Sequence, residues 1–598
     1  MSYSENPKVS WGALVVALSV LLFACIVVGA LVIPKLLNQV SNVPQVSNSP
    51  QAPGAATDAA PAPPENAIAI EISSSNTKED WMNAVVAQFN QEEHKVASGE
   101  VIFVTVKHVT SGGSQKAILD GTSQPVVWSP GDQSWVDEAN RVWRDRNGKL
   151  LIPDACVQSV LAPIGFAMWR PMAEALGWPD KPISWDDIVK LSADPQGWAS
   201  VGHSEWGQFK FGHTHPDYSN VGMLSMTALS YSMLGKTTGL TADEVYSDAV
   251  VEAFRGVEQN TYHYGLQNRP LMQILAQRGP DYLHAVTTSE AETLKTNAEY
   301  ASTMRYPLAF IFPAKGTFWS EQPYCILDGD WVSDAQKEAA ETFKNYLLDK
   351  KQQEMAITYY LRPVDTSIPL HAPLTIDDGT DPHVTTESIP ALESPSAEVS
   401  SAVKDVFHQT KKKATIALLL DTSGSMEGDK IKSAIASSVN FVGRLDPNDE
   451  IYLTVFGGDG QVYELGGGRA GDVGEQLTGK LNGLYSNGNT ALYDAVCSAT
   501  KQVATLQAGH EAKSEKRLYG IVLLSDGQDT ASRATENQMF NCLPSGENIT
   551  GTKVFTIAFG EDADADLMLR IANRTNGKTF TGDPSSIESI YNAISAEQ

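Results

Sequence analysis

The chain of 598 residues is too long for a single hydrophobic core, so we expect about three or four compact units. Its composition, 42% apolar and 19% charged, is ordinary for globular protein and excludes wholesale disorder. The formal net charge of −27 argues against binding of nucleic acid, which needs concentrated Lys and Arg, and suits cation binding or basic partners.

The first predicted element is a transmembrane helix at the N-terminus. Residues 12–34 carry no charged side chain, and about 20 apolar residues suffice to cross the hydrocarbon of a bilayer as a helix. A cleaved signal peptide usually has a shorter apolar run, and a lipoprotein signal ending at Cys25 does not fit a run that continues past that residue. We therefore expect a short cytoplasmic N-terminus at 1–11 and an uncleaved anchor over 12–34, with cleavage and lipidation as alternatives.

Residues 35–66 are predicted to be a flexible tether. They are rich in Pro, Ala, Ser, Asn and Gln, and they lack aromatic residues and hydrophobic periodicity. This composition is typical of a partly extended linker. It would hold the rest of the chain away from the membrane.

The cysteines that follow the predicted anchor indicate on which side of the membrane we expect the bulk of the chain. Two fall in each large region of the chain: Cys156, Cys325, Cys497 and Cys542. Two intradomain disulfides would require this distribution, which favours an oxidising exterior. We therefore expect a single-pass protein of the cell membrane with its bulk outside the cytoplasm. Four buried free thiols and a cytosolic orientation are the alternatives.

Residues 67–375 form a continuous globular region of alternating strand and helix patterns. Its first strand, AIAIEI, runs into a serine-rich loop that opens an amphipathic helix, and similar loops occur at 110–118 and around Ser219. The N-terminus of a helix offers backbone N–H groups to an anion or polar ligand. Helix capping explains each loop by itself, but three such loops in one α/β region point to a ligand-binding cleft.

Residues 376–411 are predicted to be a second linker. Their first part is acidic and rich in Pro and Ser, and residues 396–411 have the pattern of a short helix. This helix would lead into the last domain.

Strand and helix patterns alternate cleanly over residues 412–598. Apolar, β-branched runs are found at 414–420, 450–456, 518–524 and 553–559. Amphipathic helical runs such as 429–443 lie between them. The alternation predicts a mostly parallel sheet covered on both faces, which binds ligands beyond the carboxyl ends of its strands at the topological switch point.

An all-oxygen set of side chains stands at the predicted strand ends of this last domain. Asp421 ends the first strand just before Ser423 and Ser425, Asp526 ends a later strand, and Thr490 precedes a helix. Hard divalent cations bind oxygen, and Mg²⁺ takes few carboxylates together with waters in an octahedron. We predict that these five residues bind Mg²⁺, or Mn²⁺ or Ca²⁺, and leave one coordination place for an acidic residue of a protein partner.

Asp421-x-Ser423-x-Ser425, Thr490 and Asp526, in this order and strand context, resemble a von Willebrand factor A (VWA) domain with a metal-ion-dependent adhesion site. The resemblance covers residues 412–598 and implies a doubly wound, Rossmann-like fold. In the family, the positions matching the two serines contact the ion directly. The other three positions bind the ion directly or through water.

The central region resembles the two-lobed periplasmic class of bacterial extracellular solute-binding proteins. The resemblance rests on many phrases, such as QPVVWSPGDQSWVD and LAFIFPAKGTFWSEQPYCIL, spread over most of 67–365. It implies one lobe from 67–155 with 313–375, and another from 168–305. The cleft residues that it implies by position are Ser74, Ser75, Ser111, Ser114, Trp128, Ser129, Ser219 and Glu290.

The resemblance also joins the two lobes by hinge strands near 160–167 and 306–312. Cys156 and Cys325 would both sit near the first lobe's side of these hinges, where a bridge can form.

The other two cysteines lie on helices of the last domain. Cys497 is on the helix after Thr490, and Cys542 closes the helix after Asp526. A disulfide between them would brace the metal-binding loops if the two helices are neighbours.

Taken together, the sequence predicts an α/β protein with an N-terminal transmembrane helix, a two-lobed periplasmic-binding-protein-like domain and a VWA domain. We expect a membrane-tethered extracytoplasmic binding or adhesion protein that holds a small solute in its bilobed domain. We expect no catalysis, because we find no nucleophile elbow, phosphate-binding Gly-Lys-Ser/Thr loop or His–carboxylate pair. The alternatives are a structural or assembly protein of the cell envelope with a solute-binding-like scaffold, and a hydrolase or transferase with unrecognised catalytic groups.

Overall fold

The computed structural model describes most of the chain from residue 63 onward. The described residues are 63–526, 528–544, 551–560, 563–584, 586–587, 590–591 and 594. The predicted cytoplasmic N-terminus, the anchor over 12–34 and nearly all of the tether over 35–66 lie outside them. Within the described ranges, no helix is both long enough and apolar enough to cross a membrane.

Strands and helices alternate through residues 63–375, as the patterns predict. The strands are β1 (Ile68–Ser74), β2 (Ile102–His108), β3 (Val127–Ser129), β4 (Val157–Gln158), β5 (Ile164–Trp169), β6 (Phe211–Thr214), β7 (Thr261–Gly265), β8 (Ala285–Ser289), β9 (Leu308–Ile311) and β10 (Pro323–Ile326). The helices are α1 (Glu79–Gln91), α2 (Ser111–Leu119), α3 (Gln133–Asn147), α4 (Arg170–Leu176), α5 (Trp185–Ala193), α6 (Asn220–Leu234), α7 (Ala242–Val245), α8 (Asp248–Glu258), α9 (Asn268–Arg278), α10 (Glu290–Tyr300), α11 (Asp334–Leu348) and α12 (Lys350–Thr358).

These strands form two five-stranded sheets, one in each of two lobes. In lobe 1 the order is β2-β1-β3-β10-β4, and β1 is parallel to both of its neighbours. In lobe 2 the order is β7-β6-β8-β5-β9, and β5 is antiparallel to both of its neighbours. The chain passes to lobe 2 before β5 and returns after β9, so α11 and α12 pack on lobe 1. The expected hinge segments near 160–167 and 306–312 overlap β5 and β9, which belong to the sheet of lobe 2.

Residues 376–411, predicted to be a linker, are packed against lobe 2. The backbone N of Leu392 donates to the carbonyl O of Thr317 at 2.9 Å. Helix α13 (Ala397–Thr410) buries Val403 and Phe407 in the core of that lobe. The short helix predicted at 396–411 is confirmed, and it is part of the globular body rather than of a free connection.

The last domain is a single seven-stranded sheet between layers of helices. Its strands are β11 (Lys413–Thr422), β12 (Glu450–Asp459), β13 (Gln461–Arg469), β14 (Gly488–Asn489), β15 (Arg517–Ser525), β16 (Lys553–Phe559) and β17 (Thr579–Gly582). Its helices are α14 (Asp429–Arg444), α15 (Ala470–Asn482), α16 (Leu492–Glu511), α17 (Glu536–Cys542) and α18 (Ala565–Arg574). The order is β13-β12-β11-β15-β16-β17, with β14 beside β12, and only β13 runs antiparallel to its neighbour. All four strands predicted from apolar runs are present.

The central strand β11 is buried because it carries two cores. Ile416, Leu418 and Leu420 face one hydrophobic cluster, while Ala417 and Leu419 face the other. This alternation follows from the two-residue period of a strand between two helical layers. The strand order reverses between β11 and β15, so the carboxyl end of β11 lies at the switch point of the sheet.

Lobe 2 and the last domain also contact each other directly. Nζ of Lys553 donates to the carbonyl O of Tyr262 at 3.3 Å, and Nη2 of Arg278 donates to the carbonyl O of Gly577 at 2.9 Å. The side chain of Leu518 packs against the core of lobe 2. The chain therefore joins these two parts through side chains as well as through α13.

Candidate functional site

Three loops meet beyond the carboxyl edge of the last sheet. The segments, called the metal loops below, are residues 421–426, residues 486–490, and residue 526 with residues 528–532. The backbone N of Asn487 donates to the carbonyl O of Thr422 at 2.8 Å, and the backbone N of Thr530 donates to the carbonyl O of Thr490 at 2.9 Å. These hydrogen bonds join each loop to the next and bring the five predicted ligands to one place.

The first metal loop holds two hydroxyls close together. A single turn of 3-10 helix over Gly424–Met426 follows β11, and it places Oγ of Ser423 at 3.0 Å from Oγ of Ser425. Neighbouring ligands of an octahedral Mg²⁺, each bound at about 2.1 Å, lie about 3 Å apart. The two hydroxyls are hydrogen-bonded to each other, and their separation also matches that of neighbouring Mg²⁺ ligands. A Cβ on Gly424 would lie 3.2 Å from the carbonyl O of Gly488, so the close approach of the first two loops favours glycine there.

Asp421 is held at this edge by two hydrogen bonds. The backbone N of Ser423 donates to Oδ1 at 2.8 Å, and the hydroxyl of Ser525 donates to Oδ2. Burial raises the pKa of the Asp421 carboxyl to about 6, and the charge of Asp526 contributes to the rise. A bound cation would offset both effects. Sequence reasoning missed Ser525, although it directly precedes Asp526.

The side chain of Asp526 is the strongest reason to expect a cation at this site. Its side chain is 4% exposed, and Oδ1 is buried without a hydrogen-bond partner among the described residues. Buried carboxylate oxygens nearly always have a partner, so this one calls for a ligand that the polypeptide itself does not supply. A divalent cation bound by oxygen would satisfy it.

The chemistry of the donors also fits a hard cation. The structure brings together three hydroxyl side chains and two carboxylates. Across the described part of the chain, no cluster of three or more His, Cys, Asp or Glu side chains is arranged to hold a metal.

Further hydrogen bonds fix the second and third metal loops to the start of α16. Thr490 is buried, and its backbone N donates to Oγ1 of Thr530 at 2.8 Å. The carboxylate of Asp494 accepts hydrogen bonds from the backbone N of Arg533 at 2.9 Å and of Ala534 at 3.0 Å. Asp494 is thus a second contributor to this edge that sequence reasoning missed, since its partners come from a distant loop.

Both cysteine pairs considered from the sequence are disulfides in the structure. Cys497 on α16 is bonded to Cys542 at the end of α17, so the helices that follow the second and third metal loops are linked. Cys156, just before β4, is bonded to Cys325 on β10 within lobe 1.

Five of the predicted ligand-binding residues gather at the carboxyl edge of lobe 1. This group, called the serine cleft below, consists of Ser74, Ser75, Ser111, Ser114 and Ser129. All five are buried. Ser74 and Ser129 are register partners at the ends of β1 and β3. Ser111 opens α2, and its hydroxyl accepts a hydrogen bond from the backbone N of Gly131 at 3.0 Å.

The hydroxyls of the serine cleft have partners within lobe 1. Ser75 donates to Oε1 of Gln322 at 2.7 Å, and Ser129 donates to the carbonyl O of Pro323 at 2.7 Å. The indole N–H of Trp128 donates to Oγ of Ser114 at 2.9 Å. Trp128 itself lies in the hydrophobic core beneath the cleft, so the structure assigns it to packing.

A buried lysine that the sequence did not single out lies under the cleft. Nζ of Lys78 donates to Oγ of Ser75 at 2.8 Å, to the carbonyl O of Ser129 at 2.9 Å and to Oε1 of Gln322 at 3.0 Å. Burial lowers the pKa of Lys78 well below its ordinary value. All three partners are neutral, so Lys78 organises the floor of the cleft through hydrogen bonds.

The start of α6, which belongs to lobe 2, faces the serine cleft. Ser219 caps this helix, and its hydroxyl also accepts a hydrogen bond from Oγ1 of Thr214 at 2.8 Å. The next residue, Asn220, accepts a hydrogen bond from Nε1 of Trp135 in lobe 1 at 2.8 Å. The structure therefore places the loop of Ser219 near the cleft, and Asn220 and Trp135 join the two lobes.

Glu290, the last predicted cleft residue, lies elsewhere. Its carboxylate forms a bidentate ion pair with Arg362 at 2.6 and 2.8 Å and accepts a hydrogen bond from Thr380. Its side chain is fully buried. It is a structural group that fastens α10 to the segment after α12, because a buried carboxylate requires a charged partner.

Comparison with known families agrees with this architecture. Residues 70–362 match the family of bacterial extracellular solute-binding proteins, and residues 415–593 match the von Willebrand factor type A domain. A search of curated protein sequences gives no match.

Several solved structures also resemble parts of this chain. The sulfate-binding protein SubI from Mycobacterium tuberculosis is 15% identical, covers 50% of this chain and 88% of its own, and has a TM-score of 0.34. A putative extracellular solute-binding protein from Bordetella parapertussis is 12% identical, covers 57% of this chain and 98% of its own, and has a TM-score of 0.40. A von Willebrand factor type A protein from Catenulispora acidiphila is 17% identical, covers 31% of this chain and 43% of its own, and has a TM-score of 0.26.

Proposed function

Because the chain combines a bacterial extracellular solute-binding domain with a C-terminal VWA domain, we propose that it is a membrane-tethered binding protein with two ligands. One ligand is a small solute held between lobes 1 and 2. The other is a protein partner that presents an acidic residue to a divalent cation in the metal loops. The predicted helix over 12–34 anchors the protein, and the described domains lie outside the cytoplasm.

The observation that carries the proposal is the buried, unpartnered Oδ1 of Asp526 among the described residues, beside the paired hydroxyls of Ser423 and Ser425. Ser423, Ser425, Thr490, Asp421 and Asp526 would hold Mg²⁺, or Mn²⁺ or Ca²⁺. The bound ion would supply a positive centre that accepts the carboxylate of the partner. The hydrogen bonds among the metal loops keep these donors in place before the ion arrives.

The solute is proposed to be small and polar or anionic. The starts of α2 and α3 in lobe 1 and of α6 in lobe 2 come together around Ser111, Gly131 and Asn220. A Cβ on Gly131 would lie 3.2 Å from Nδ2 of Asn220 and 3.3 Å from Oγ of Ser111, so the lobes approach each other closely here. Helix starts present backbone N–H groups and a positive dipole end, which favour anions.

Titration calorimetry of the full chain in detergent with MgCl₂ and MnCl₂ tests the metal site. We expect one saturable binding event that Asp421→Ala abolishes. Asp472→Ala is the matched control, because Asp472 is an exposed carboxylate at the start of α15, outside the metal loops. Absence of metal uptake by the unaltered chain, or equal uptake by Asp421→Ala, would remove the basis of the proposal.

One observation favours a second candidate, in which the two lobes serve as a rigid scaffold of the cell envelope. The hydroxyls of Ser75 and Ser129 already donate to groups of lobe 1, and the Trp135–Asn220 hydrogen bond joins the two lobes directly. Thermal melting of the full chain against a panel of small anions, sugars and amino acids separates the two candidates. A concentration-dependent rise in melting temperature supports solute binding, whereas an unchanged melting temperature across the panel supports the scaffold.

A further inference from the structure

A cleft of about 430 Å³ lies between lobe 2 and the VWA domain, far from the metal loops. Phe209, Lys210 and Tyr262 line it from lobe 2, and Lys412 and Lys516 line it from the VWA domain. The VWA residues stand just before β11 and β15, at the amino ends of these parallel strands. The cleft is therefore at the opposite edge of the sheet from the candidate metal site.

Positive charge dominates the lining of this interdomain cleft. The lining includes Lys210, Lys412, Lys516, Arg517 and Lys553, against two carboxylates, Glu511 and Glu515. In a chain with a formal net charge of −27, such a local excess of cations stands out. A volume of this size is in the range of small-molecule sites, which span roughly 300–1,000 Å³.

Two of the lysines donate hydrogen bonds to backbone carbonyls, and a third is exposed to solvent. Nζ of Lys412 donates to the carbonyl O of Thr261 at 2.8 Å, and Nζ of Lys210 donates to the carbonyl O of Asp281. Lys516 is exposed. Among the residues that the structure describes, no carboxylate forms a salt bridge with Lys210, Lys412 or Lys516.

Arg517 has a different role from these lysines. Its guanidinium donates to Oγ1 of Thr415 at 2.9 Å and to the carbonyl O of Ala414 at 2.8 Å, and it is buried. It therefore fixes β15 to β11, while the lysines carry the charge that faces the open cleft.

The lysines also crowd one another. Burial, followed by the charges of Lys516 and Lys553, lowers the pKa of Lys412 to about 8. Burial alone lowers the pKa of Lys210, against the opposing charge of Asp281. Holding several like charges together costs free energy that a bound anion would offset.

We propose that this interdomain cleft binds a small multivalent anion whose negative groups reach Lys210 of lobe 2 and Lys412 and Lys516 of the VWA domain. The aromatic side chains of Phe209, Tyr262 and Tyr519 provide an apolar wall for the rest of the ligand. Because its cations come from both sides of the interface, the anion would bind the two parts of the molecule to each other.

Calorimetric titration of the full chain with citrate and with pyrophosphate tests this site. Ionic strength is kept constant with NaCl, and divalent metal is removed beforehand on a chelating resin, because dissolved EDTA is itself a multivalent anion and would compete for the cleft. We expect saturable binding of at least one probe, and loss of one charged contact in Lys516→Gln should weaken it by about tenfold. Saturation by citrate alone identifies a polycarboxylate site, and saturation by pyrophosphate alone identifies a phosphate site.

The controls separate a specific site from general attraction. Lys513→Gln removes an exposed positive charge from the same connection between α16 and β15 but outside the lining, and it should leave affinity unchanged. Lys210→Gln tests the lobe 2 side and should weaken binding as Lys516→Gln does, while the exposed position of Lys516 keeps the test independent of folding. Absence of saturable binding for both probes, or equal weakening by Lys513→Gln and Lys516→Gln, would overturn the proposal.

Discussion

The metal loops and the serine cleft are built from similar parts but differ in how far the polypeptide satisfies them. Both lie beyond the carboxyl ends of parallel strands, and both are rich in hydroxyls. In the serine cleft, Ser75 and Ser129 donate to neighbouring groups of lobe 1, and Lys78 fills the floor. In the metal loops, Oδ1 of Asp526 is buried with no partner among the described residues.

This difference predicts how strongly the stability of each region depends on a bound ligand. A buried oxygen without a hydrogen-bond donor lowers stability, and a bound cation would offset that cost, so the stability of the metal loops should depend on a ligand. The hydroxyls of Ser75 and Ser129 in the serine cleft already have hydrogen-bond partners, so the stability of this cleft should depend less on its ligand. The following predictions test this contrast, beginning with the largest expected effect.

Removing the charge of Glu290 should produce the largest loss of stability. Glu290→Gln leaves the guanidinium of Arg362 buried without its carboxylate, and loss of one partner of a buried ion pair costs about 3–5 kcal/mol. Calorimetric melting of the full chain measures the loss. Glu174→Gln, which removes an exposed partner of Arg170, should change stability by at most about 1 kcal/mol. If both variants changed stability by the same small amount, Glu290 would not have the structural role that its ion pair with Arg362 indicates.

Opening the disulfide of the VWA domain should cost somewhat less. Cys497→Ala frees a chain segment with a sequence separation of 45 residues, and we expect a loss of about 2–4 kcal/mol in the free energy of unfolding. Metal affinity should fall with it, because α16 and α17 follow two of the metal loops. Cys156→Ala, the matched change in lobe 1, should lower stability and leave metal affinity unchanged in the same calorimetric titration. A fall in metal affinity in both variants would contradict a local role for the Cys497–Cys542 bond.

Asp526 and Ser129 should respond in opposite directions when metal is withheld. Asp526→Ala removes an unsatisfied buried carboxylate, so we expect a gain of about 1 kcal/mol in EDTA together with loss of metal uptake. Ser129→Ala leaves the carbonyl of Pro323 without its donor, so we expect a loss of about 1 kcal/mol. Thermal melting in EDTA measures both. A destabilising Asp526→Ala would show that the metal loops are satisfied without a cation.

A further prediction concerns pH and adds the interdomain cleft to the comparison. Burial, then Lys516 and Lys553, lower the pKa of Lys412 from its ordinary 10.5 to about 8, against the opposing charge of Glu258. Between these two values the unfolded chain binds the proton that the folded chain has lost, so the free energy of unfolding rises with pH. Below pH 8 both states are protonated, and this contribution no longer changes.

Lys412→Gln removes this titration. The difference in melting temperature between the unaltered chain and Lys412→Gln should therefore shift in favour of the unaltered chain from pH 8 to pH 10. Lys513→Gln serves as the control and should follow the unaltered chain. Parallel curves for all three proteins would contradict the crowding of charge in the cleft.

Much of the fold and of the candidate metal site could be predicted from the sequence because the decisive residues are local. Asp421, Ser423 and Ser425 lie within one strand end and one turn, and the apolar runs mark strands β11 and β15, which bring Asp421 and Asp526 to the same edge. Because the strands are parallel and alternate with helices, their carboxyl ends meet at one edge of the sheet. Distances within one turn need no knowledge of the tertiary structure.

Roles that depend on distant partners could not be predicted in this way. Arg362 is 72 residues from Glu290, and no local pattern connects them. Trp128 directly precedes Ser129 on β3 but lies in the hydrophobic core. The interdomain cleft combines Lys210 with Lys412 and Lys516, and only the packing of lobe 2 on the VWA domain brings them together.

The packing of α13 on lobe 2 determines how any rearrangement would be transmitted. Val403 and Phe407 fix this helix to lobe 2, and Lys412 and Lys553 attach the next domain to the same lobe. Lobe 1, by contrast, is the part that follows the predicted membrane tether. If the two lobes separated, the VWA domain would move with lobe 2, and the face that carries the metal loops would turn relative to lobe 1.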